Sequence, residues 1–194
     1  MVTHEESPAQ TLEAWSPQHA EDKALWSEYV SFAQDADHAF RELSAEQHLT
    51  SSAFVFDAEF ENILLCFHGK GRFWVQFGGH IETSDASLAA AARREGLEES
   101  GLAELSPVIN TPVDLDRHSL SQSFGTCRVH WDVGYAFTAD RAASLQVSDE
   151  SESVAWWPLD ALPEGCVQGL AERIDRVVDT VRKHRSDHVD GRSH

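Results

Sequence analysis

The chain has 194 residues, of which 41% are hydrophobic and 25% charged, and its formal net charge is −18. The length is enough for one well-buried domain, and the composition is ordinary for a soluble globular protein. The acidic charge argues against general affinity for nucleic acid or anionic membranes, since both need a basic face. No apolar run approaches the ~18 residues that a membrane helix needs, and the N-terminus lacks a signal-peptide pattern, so the expected location is the cytoplasm.

In chain order, residues 1–50 predict an N-terminal helical extension. Residues 1–10 are polar and expected to be loose, and Ser16 and Pro17 predict the N-cap and first turn of a helix. Apolar residues then recur at helical spacing, namely Ala24, Leu25, Tyr29 and Phe32. A second short helix is predicted over Asp37–Leu43. The extension is expected to pack on the domain, to meet a second copy in a homodimer, or to form a lid.

Residues 51–184 predict the main domain, in which strand signals begin at Ser52. A hairpin turn over 57–61 joins the first two strands, and a flexible basic loop, His68–Arg72, follows the second. The predicted strands are Ala53–Phe56, Asn62–Phe67, Phe73–Phe77, Val108–Leu115, Thr126–Phe137 and Val154–Trp157. A closing amphipathic helix is predicted over Cys166–Lys183.

This order of elements places helices before and after a set of strands, which favours an α/β or α+β sandwich with a mixed sheet. The segment 185–194 is expected to be disordered. No internal repeat is visible along the chain, and the phosphate-binding pattern G-x-x-x-x-G-K-[ST] is absent from the sequence, which argues against an ATPase.

The segment 78–102 carries most of the functional information. Gly78 and Gly79 permit a sharp turn and a close approach of the backbone to a ligand. A helix is predicted over Ala86–Glu99, and Gly101 stands where a left-handed residue usually ends a helix.

Three glutamates near the end of this helix, Glu95, Glu98 and Glu99, are three and four positions apart. Residues at that spacing lie on neighbouring parts of one helix surface. Carboxylates crowded there repel one another unless a cation lies between them. Oxygen ligands suit a hard ion such as Mg²⁺ or Mn²⁺, which in turn suits phosphate chemistry.

The segment resembles the Nudix box, whose pattern is G-x5-E-x7-R-E-U-x-E-E-x-G-U, where U is a bulky aliphatic residue. The matching residues are Arg94, Glu95, Glu98, Glu99, Gly101 and Leu102. Gly96 departs from the pattern at a U position, and one extra residue lies between Gly79 and Arg94. The resemblance implies an α/β/α sandwich and hydrolysis of a diphosphate linkage that requires Mg²⁺ or Mn²⁺.

The resemblance also implies roles for individual residues. Glu95, Glu98 and Glu99 would bind the metal ion, with the main-chain carbonyl of Gly79 as an extra ligand. Arg94 would orient the carboxylates. Glu95, Glu98 and Arg94 are therefore the predicted catalytic residues of the box.

The position at which the box has its first glutamate is occupied by Asp85. Asp85 either contributes to the acidic site or caps the helix, and the cap is favoured because Asp is a preferred N-cap residue. Ser84 is the alternative N-cap. Beyond the box, an acidic loop precedes the last strand, and Glu150 is the predicted catalytic base, with Glu152 as the alternative.

Substrate contacts are predicted from the segment that leads to the box. Lys70 and Arg72 would contact phosphate, and Trp74 and Gln76 would face a base or sugar. His80 and Arg117 are further candidates, although packing or a surface position is favoured for each of these residues taken individually. No His or Cys pairs show zinc-ligand spacing, so a zinc site is not expected.

The predicted function is cleavage of a diphosphate linkage in a nucleoside diphosphate derivative or nucleoside triphosphate by metal-activated water. The resemblance gives only this substrate class, because residues that mark the known subgroups are absent downstream of the box. The predicted partner is therefore a small-molecule nucleotide or another diphosphate. The alternative is a catalytically silent domain of the same fold that senses a nucleotide.

Overall fold

The computed structural model describes residues 7–20, 22–40, 46–120, 127–148 and 151–190, with side chains described as far as residue 186. The strands are β1 (Gln47–Phe56), β2 (Asn62–His68), β3 (Phe73–Val75), β4 (Phe77–His80), β5 (Ser106–Pro107), β6 (Asp114–Ser119), β7 (Val129–Thr138) and β8 (Ser151–Pro158). The helices are α1 (Pro8–Ala14), α2 (Asp22–Ala33), α3 (Leu88–Ser100) and α4 (Leu170–Asp190), with a short 3₁₀ helix at Ala36–Ala39.

Strand β1 is the centre of a mixed sheet. One of its edges pairs in parallel with β7 along its whole length, from Gln47 opposite Val129 to Phe56 opposite Thr138. Its other edge pairs antiparallel with β4 and then with β2. Strands β3 and β8 pair with β2, whereas β5 and β6 pair with β7. Strand β4, which carries the two adjacent glycines, therefore lies directly against the central strand.

Helices cover both faces of this sheet. On one face, α1, α2 and α3 pack over a core that includes Leu49 and Ala53 of β1. On the other face, α4 packs over a second core that includes Phe54 and Phe56 of the same strand. Successive side chains of a strand point to opposite faces, so β1 supplies both cores. The expected α/β/α sandwich with a mixed sheet is confirmed.

The N-terminal helices pack on the sheet of their own chain. Leu12 of α1 and Tyr29 of α2 are fully buried. The Tyr29 hydroxyl donates a hydrogen bond to the backbone carbonyl of Asp132 in β7, at 2.9 Å. The extension is thus part of the core on the α3 face.

The prediction of where the first helix begins is wrong. It begins at Pro8, after an N-cap at Ser7, and the Ser7 hydroxyl and the Gln10 side chain form a capping box. Ser16 also precedes a proline, but the residue three positions after it is His19, which does not complete a capping box. The predicted helix over 37–43 is replaced by the 3₁₀ helix at Ala36–Ala39, and residues 41–45 lie outside the described part of the chain.

Two further boundaries differ from the sequence prediction. The strand predicted over Val108–Leu115 is wrong in its bounds, because the strand in this region is β6, Asp114–Ser119. Pro112 has no backbone N–H to donate to a sheet, and Ile109 and Val113 are buried within the connection instead. At the other end of the chain, α4 continues as far as Asp190, into the segment for which disorder was expected.

Strand β1 begins at Gln47, five positions before the first residue with a strand signal in the sequence. Nine of its ten residues are buried, and they include the polar residues Thr50, Ser51 and Ser52. Among the described residues, no helix combines the length and the apolar character that crossing a membrane requires.

Candidate active site

Helix α3 carries the three glutamates and has well-defined ends. Its N-cap is Ser87, whose hydroxyl accepts a hydrogen bond from the Ala90 amide at 3.1 Å. Its C-cap is Gly101, in the left-handed conformation at φ 70°, as the sequence predicted. The predicted N-cap at Ser84 or Asp85 is wrong, because the helix begins three or more positions later, at Leu88.

The departure of Gly96 from the box pattern has a packing explanation. A Cβ atom at this position would lie 2.7 Å from Cδ1 of Leu105 and 3.2 Å from Cβ of Ala53 in β1. Real Cβ atoms do not show a contact of 2.7 Å, so a side chain at this position would require the end of the Leu105 side chain to shift and would crowd Ala53. The glycine allows α3 to lie close to the central strand.

Strand β4 brings its glycines against the same helix. Gly78 and Gly79 pair with Ser52 and Ser51 of β1. The Gly78 amide donates a hydrogen bond to Glu99 Oε1 at 2.9 Å. A Cβ atom at Gly79 would lie 2.6 Å from Oε1 of Glu95, so the carboxylate occupies the space that a side chain would fill.

Arg94 contacts several members of the carboxylate cluster. Its Nη1 donates to Glu95 Oε1 at 2.9 Å and to Glu98 Oε2 at 3.3 Å. Its Nη2 donates to the backbone carbonyl of His80 at 3.0 Å, which ties the helix to the end of β4. The guanidinium therefore holds two of the three glutamates and the β4 backbone in one arrangement.

Asp85 binds the other side of the same guanidinium. Arg94 Nε donates to Asp85 Oδ1 at 3.0 Å, and Nη2 donates to Oδ2 at 2.8 Å. Such two-pronged pairs are stronger and more directional than single contacts. The favoured interpretation of Asp85 as the helix cap is thus wrong: it belongs to the acidic cluster. The extra residue before Arg94 does not separate the two side chains.

These contacts perturb both partners. Hydrogen bonds with Asp85 and then with Glu95 raise the pKa of Arg94, although partial burial opposes this. Burial tends to raise the pKa of Asp85, but the hydrogen bonds from Arg94 and from the Glu82 amide outweigh it and leave that pKa below its usual value. Both groups are charged at neutral pH.

The cluster carries an excess of negative charge. Four carboxylates lie within 4.0 Å of Arg94, namely Asp85, Glu95, Glu98 and Glu82. One guanidinium charge cannot balance four carboxylate charges, and Glu99 adds another carboxylate beside Gly78. Every carboxylate atom that could bind a metal ion in this set is oxygen. The Glu98 side chain is 62% exposed and open to solvent. A hard divalent cation such as Mg²⁺ fits these residues.

The predicted substrate-binding residues lie in several different surroundings. Lys70 is exposed, and Arg72, in the turn before β3, forms an ion pair with Glu152 of β8. The ring of Trp74 packs edge-on against Trp157, with centroids 5.3 Å apart, within the apolar core on the α4 face.

Gln76, His80 and Arg117 complete this set. Gln76 is 8% exposed, and its Oε1 atom has no hydrogen-bond partner among the described residues. His80 lies within 5.4 Å, centroid to centroid, of the rings of His48 and His130. Arg117 lies over the ring of Trp131 and forms an ion pair with the N-terminal extension rather than with the box.

The predicted catalytic base, Glu150, lies outside the described residues. Its alternative, Glu152, pairs with Arg72. Sequence reasoning also missed a cluster on the α4 face, where Arg173 contacts Asp114, Asp116 and Asp132. These residues come from α4, β6 and β7 and have no local spacing that signals their contact.

The profile of the NUDIX domain matches residues 46–178, well over half of the chain. Curated proteins give no match. Three solved structures resemble the fold at low sequence identity. A NUDIX-family hydrolase from Clostridium perfringens is 19% identical, with a TM-score of 0.52 over 69% of this chain and 97% of that one.

The second structure is an Ap4A hydrolase from C. elegans, 12% identical, with a TM-score of 0.58 over 70% of this chain and 98% of that one. The third is the dihydroneopterin triphosphate pyrophosphohydrolase from E. coli, 12% identical, with a TM-score of 0.54 over 68% and 95% of the two chains. At these identities the likeness concerns the fold alone.

Proposed function

Because the chain belongs to the Nudix family, we propose that it hydrolyses a diphosphate linkage in a nucleoside diphosphate derivative or nucleoside triphosphate, with Mg²⁺ or Mn²⁺ as cofactor. The observation that carries this proposal is the acidic cluster of α3 around Arg94. In this cluster negative charge exceeds positive charge, and the atoms that could bind a metal ion are carboxylate oxygens. Two proteins of similar fold, an Ap4A hydrolase and a dihydroneopterin triphosphate pyrophosphohydrolase, have names that refer to compounds with linked phosphates.

Three glutamates and one backbone carbonyl are the proposed metal ligands. Glu95, Glu98 and Glu99 supply carboxylate oxygens, and the carbonyl of Gly79 is included because the Glu95 carboxylate fills the space beside Gly79 that a side chain would take. When bound, the divalent cation neutralises phosphate charge and makes water a better nucleophile near neutral pH. Glu99 is fixed by the Gly78 amide, so one ligand position is set by the fold itself.

Arg94 and Asp85 are proposed to orient the glutamates, and one glutamate is proposed to accept a proton. Arg94 restrains Glu95 and Glu98 through hydrogen bonds, and Asp85 restrains Arg94. Glu98 is the proposed general base, because it lies on the same helix as the other proposed metal ligands and its carboxylate is open to solvent, where it can accept a proton from attacking water. Glu150, which was predicted for this role from the sequence, remains the alternative.

Substrate recognition is proposed for the segment before the box. Exposed Lys70 and Arg72 offer positive charge to phosphate in a strongly acidic protein, and substrate would compete with Glu152 for Arg72. The buried Gln76 Oε1 atom, which has no partner among the described residues, is the best-supported acceptor for a donor on the base. Trp74, His80 and Arg117 stay weaker candidates because the first packs in the core and the last pairs with Glu28.

A catalytically silent nucleotide sensor is the alternative function. Its support in the sequence was the extra residue between Gly79 and Arg94. The two-pronged contact of Asp85 with Arg94 removes much of that support, because the longer loop still delivers a carboxylate to the guanidinium.

The test is a phosphate-release screen of the full chain across nucleoside triphosphates, nucleotide sugars and dinucleotides, with and without Mg²⁺ or Mn²⁺. Glu98→Gln is compared with Glu104→Gln, which removes an exposed carboxylate outside the cluster. We expect metal-dependent turnover that falls about 10²–10⁴-fold in Glu98→Gln and is unchanged in Glu104→Gln. Nucleotide binding without turnover by the wild-type chain would favour the sensor.

A further inference from the structure

Three histidines converge on the face of the sheet that α4 covers. His48 lies on β1, His80 ends β4, and His130 lies on β7. Thr50 lies two residues after His48 on β1, and its hydroxyl donates a hydrogen bond to Asp132 Oδ1 at 3.1 Å. Residues two apart on a strand share a face, and Asp132 pairs with Arg173 of α4, so His48 also belongs to the α4 face.

The strand register explains this convergence. His48 stands directly opposite His130 in the parallel pairing of β1 with β7. His80 stands opposite Thr50 in the antiparallel pairing of β1 with β4. Pairing with β1 therefore places His80 of β4 and His130 of β7 close to His48 of β1, although the three residues are far apart in sequence.

The imidazoles are close enough to share one ion. One ring nitrogen from each of His48, His80 and His130 lies within 4.8 Å of the other two. The ring centroids are 4.9, 5.1 and 5.4 Å apart. Nitrogens that share a tetrahedral zinc ion at about 2.0–2.1 Å lie about 3.3 Å apart, a separation comparable with the spread of the three nitrogens here.

We propose that His48, His80 and His130 form a second metal site, specific for a divalent transition-metal ion of the zinc class. Three neutral imidazoles suit zinc and its neighbours in the first transition row, whereas Mg²⁺ prefers oxygen. The site is chemically distinct from the all-oxygen cluster of α3. The expectation from the sequence that the chain has no zinc site is replaced by this proposal, since its ligands come from three strands and have no short spacing.

The surroundings of the three histidines agree with a soft metal. His48 is completely buried, and Sγ of Cys127 lies 3.6 Å from its Nε2 atom. The ring of His118 lies 5.4 Å from that of His130, and its Nδ1 contacts Asp116 at 2.8 Å. A thiol and a fourth imidazole therefore lie next to the three proposed ligands.

The site has a structural role that does not depend on hydrolysis. His80 follows Gly79, and its carbonyl accepts a hydrogen bond from Arg94 Nη2 at 3.0 Å. An ion bound by the three side chains would fasten the end of β4 to β1 and β7. The segment that positions Arg94 and Glu95 would then be held from the opposite face of the sheet.

The first experiment is metal titration of the full chain after treatment with a chelator, in the presence of excess Mg²⁺ to occupy oxygen sites. Co²⁺ serves as the spectroscopic probe, and Zn²⁺ is used for stoichiometry and for thermal unfolding. We expect one tightly bound equivalent, visible absorption typical of low-coordinate Co²⁺, and an increase in Tm on the order of 5–10 °C with zinc at 100 times its Kd.

The matched variants are His130→Asn, within the cluster, and His68→Asn, which changes a half-buried histidine on β2. We expect His130→Asn to lose the bound ion and the zinc-dependent increase in Tm, whereas His68→Asn and Glu98→Gln retain both. Absence of tight binding by the wild-type chain, or equal binding by His130→Asn, would overturn the proposal and leave a packing cluster only.

A spectroscopic measurement on the wild-type chain covers the case in which His130→Asn does not fold. X-ray absorption of the zinc-loaded protein reports the atoms around the ion. A shell that includes three imidazoles supports the proposal, and an oxygen-only shell overturns it. Neither result depends on hydrolytic activity, so a failure here is distinguishable from a failure of the proposed function.

Discussion

Two arginines each gather several carboxylates, and they do so in opposite surroundings. Arg94 on α3 contacts Asp85, Glu95 and Glu98 at the edge of the sheet, where Glu98 is 62% exposed. Arg173 on α4 contacts three aspartates beneath the other layer of helix, where its own side chain is only 7% exposed.

The two clusters differ more in how completely the carboxylates are satisfied than in the number of contacts. Around Arg173, the hydroxyls of Thr50 and Ser52 donate to Asp132 at 3.1 and 2.6 Å. Arg176 lies 3.6 Å from Asp114, and His118 contacts Asp116. Additional donors and a second guanidinium thus compensate the buried aspartates.

The pKa shifts alone do not separate the two clusters. Burial raises the pKa of Asp114, although Arg173 opposes the shift. Desolvation would raise the pKa of Asp116, but its contact with His118 outweighs this and lowers it. Burial of Asp85 is outweighed in the same way by the hydrogen bonds from Arg94, which lower its pKa. The Arg94 cluster differs in its excess of negative charge, part of which is exposed and can be met by a bound cation.

The largest expected effect separates the two clusters by stability. Replacing Arg173 with Met leaves Asp114 and Asp132 buried without their main counter-charge, so we expect the free energy of unfolding to fall by about 3–5 kcal/mol. Urea unfolding monitored by circular dichroism measures this. Combining the change with Asp114→Asn and Asp132→Asn should recover part of the loss. A loss below about 1 kcal/mol would show that water reaches this cluster.

The second prediction concerns activity at the exposed cluster. Replacing Arg94 with Gln releases Glu95 and Glu98 from their positions, so we expect kcat/KM for the substrate found in the screen to fall about 100-fold. The free energy of unfolding should fall by about 1–3 kcal/mol, less than for Arg173→Met, because Asp85 and Glu95 are largely buried and lose a partner whereas Glu98 stays in solvent. Arg93→Gln is the matched control, because Arg93 is the neighbouring arginine and contacts the Leu105 carbonyl instead of the carboxylates. Equal losses in both variants would refute the orienting role.

The third prediction uses a buried carboxylate that is held mainly by amide hydrogen-bond donors. Asp57 accepts hydrogen bonds from the amides of Glu61 and Asn62 and from the Asn62 side chain. Burial opposes its ionisation, but these donors outweigh burial and lower its pKa. We expect Asp57→Asn to reduce the free energy of unfolding by about 1–3 kcal/mol at pH 7.

The pH dependence of that loss follows from the sign of the shift. A lowered pKa in the folded state stabilises the protein above the unfolded value of about 3.9. The stabilisation disappears as the pH falls through the folded pKa, where the wild-type side chain becomes neutral, like Asn. Urea unfolding of both proteins between pH 7 and pH 3 checks this, and a difference that is independent of pH would contradict it.

The smallest expected effect is at an exposed ion pair. Arg117 and Glu28 are in contact, but their side chains are 41% and 52% exposed. A double-mutant cycle with alanine at both positions should give a coupling energy of only about 0–1 kcal/mol, and added salt should decrease it. A coupling as large as that expected at Arg173 would mean that exposure does not separate the two kinds of cluster.

The parts that could be predicted from the sequence are those encoded locally. The glutamates of α3 and its glycine C-cap depend on spacings of a few residues. The start of α1 is encoded locally as well, since Ser7 and Gln10 form a capping box. Ser16 and Pro17 form a second Ser-Pro pair, which gives a competing start signal. Asp85 was assigned to the wrong role because a capping preference says nothing about a partner nine positions away.

The parts that could not be predicted depend on strand register. His48 meets His130, and Asp116 meets Asp132, because β7 lies between β1 and β6 in one particular alignment. A shift of one residue would send each side chain to the other face. Nothing in the sequence near any of these residues specifies that alignment, so neither the histidine cluster nor the Arg173 network has a local signature.

The parallel pairing of β1 with β7 also affects how each site assembles. The residues that surround Arg94 all lie between Gly78 and Glu99, so that site closes over a short stretch of chain. The Arg173 network spans Thr50 to Arg173, and contacts of such long sequence separation are slow to form in folding. The acidic site is thus local in the chain. The buried network on the other face is completed only when α4 has packed on the strands β1, β6 and β7.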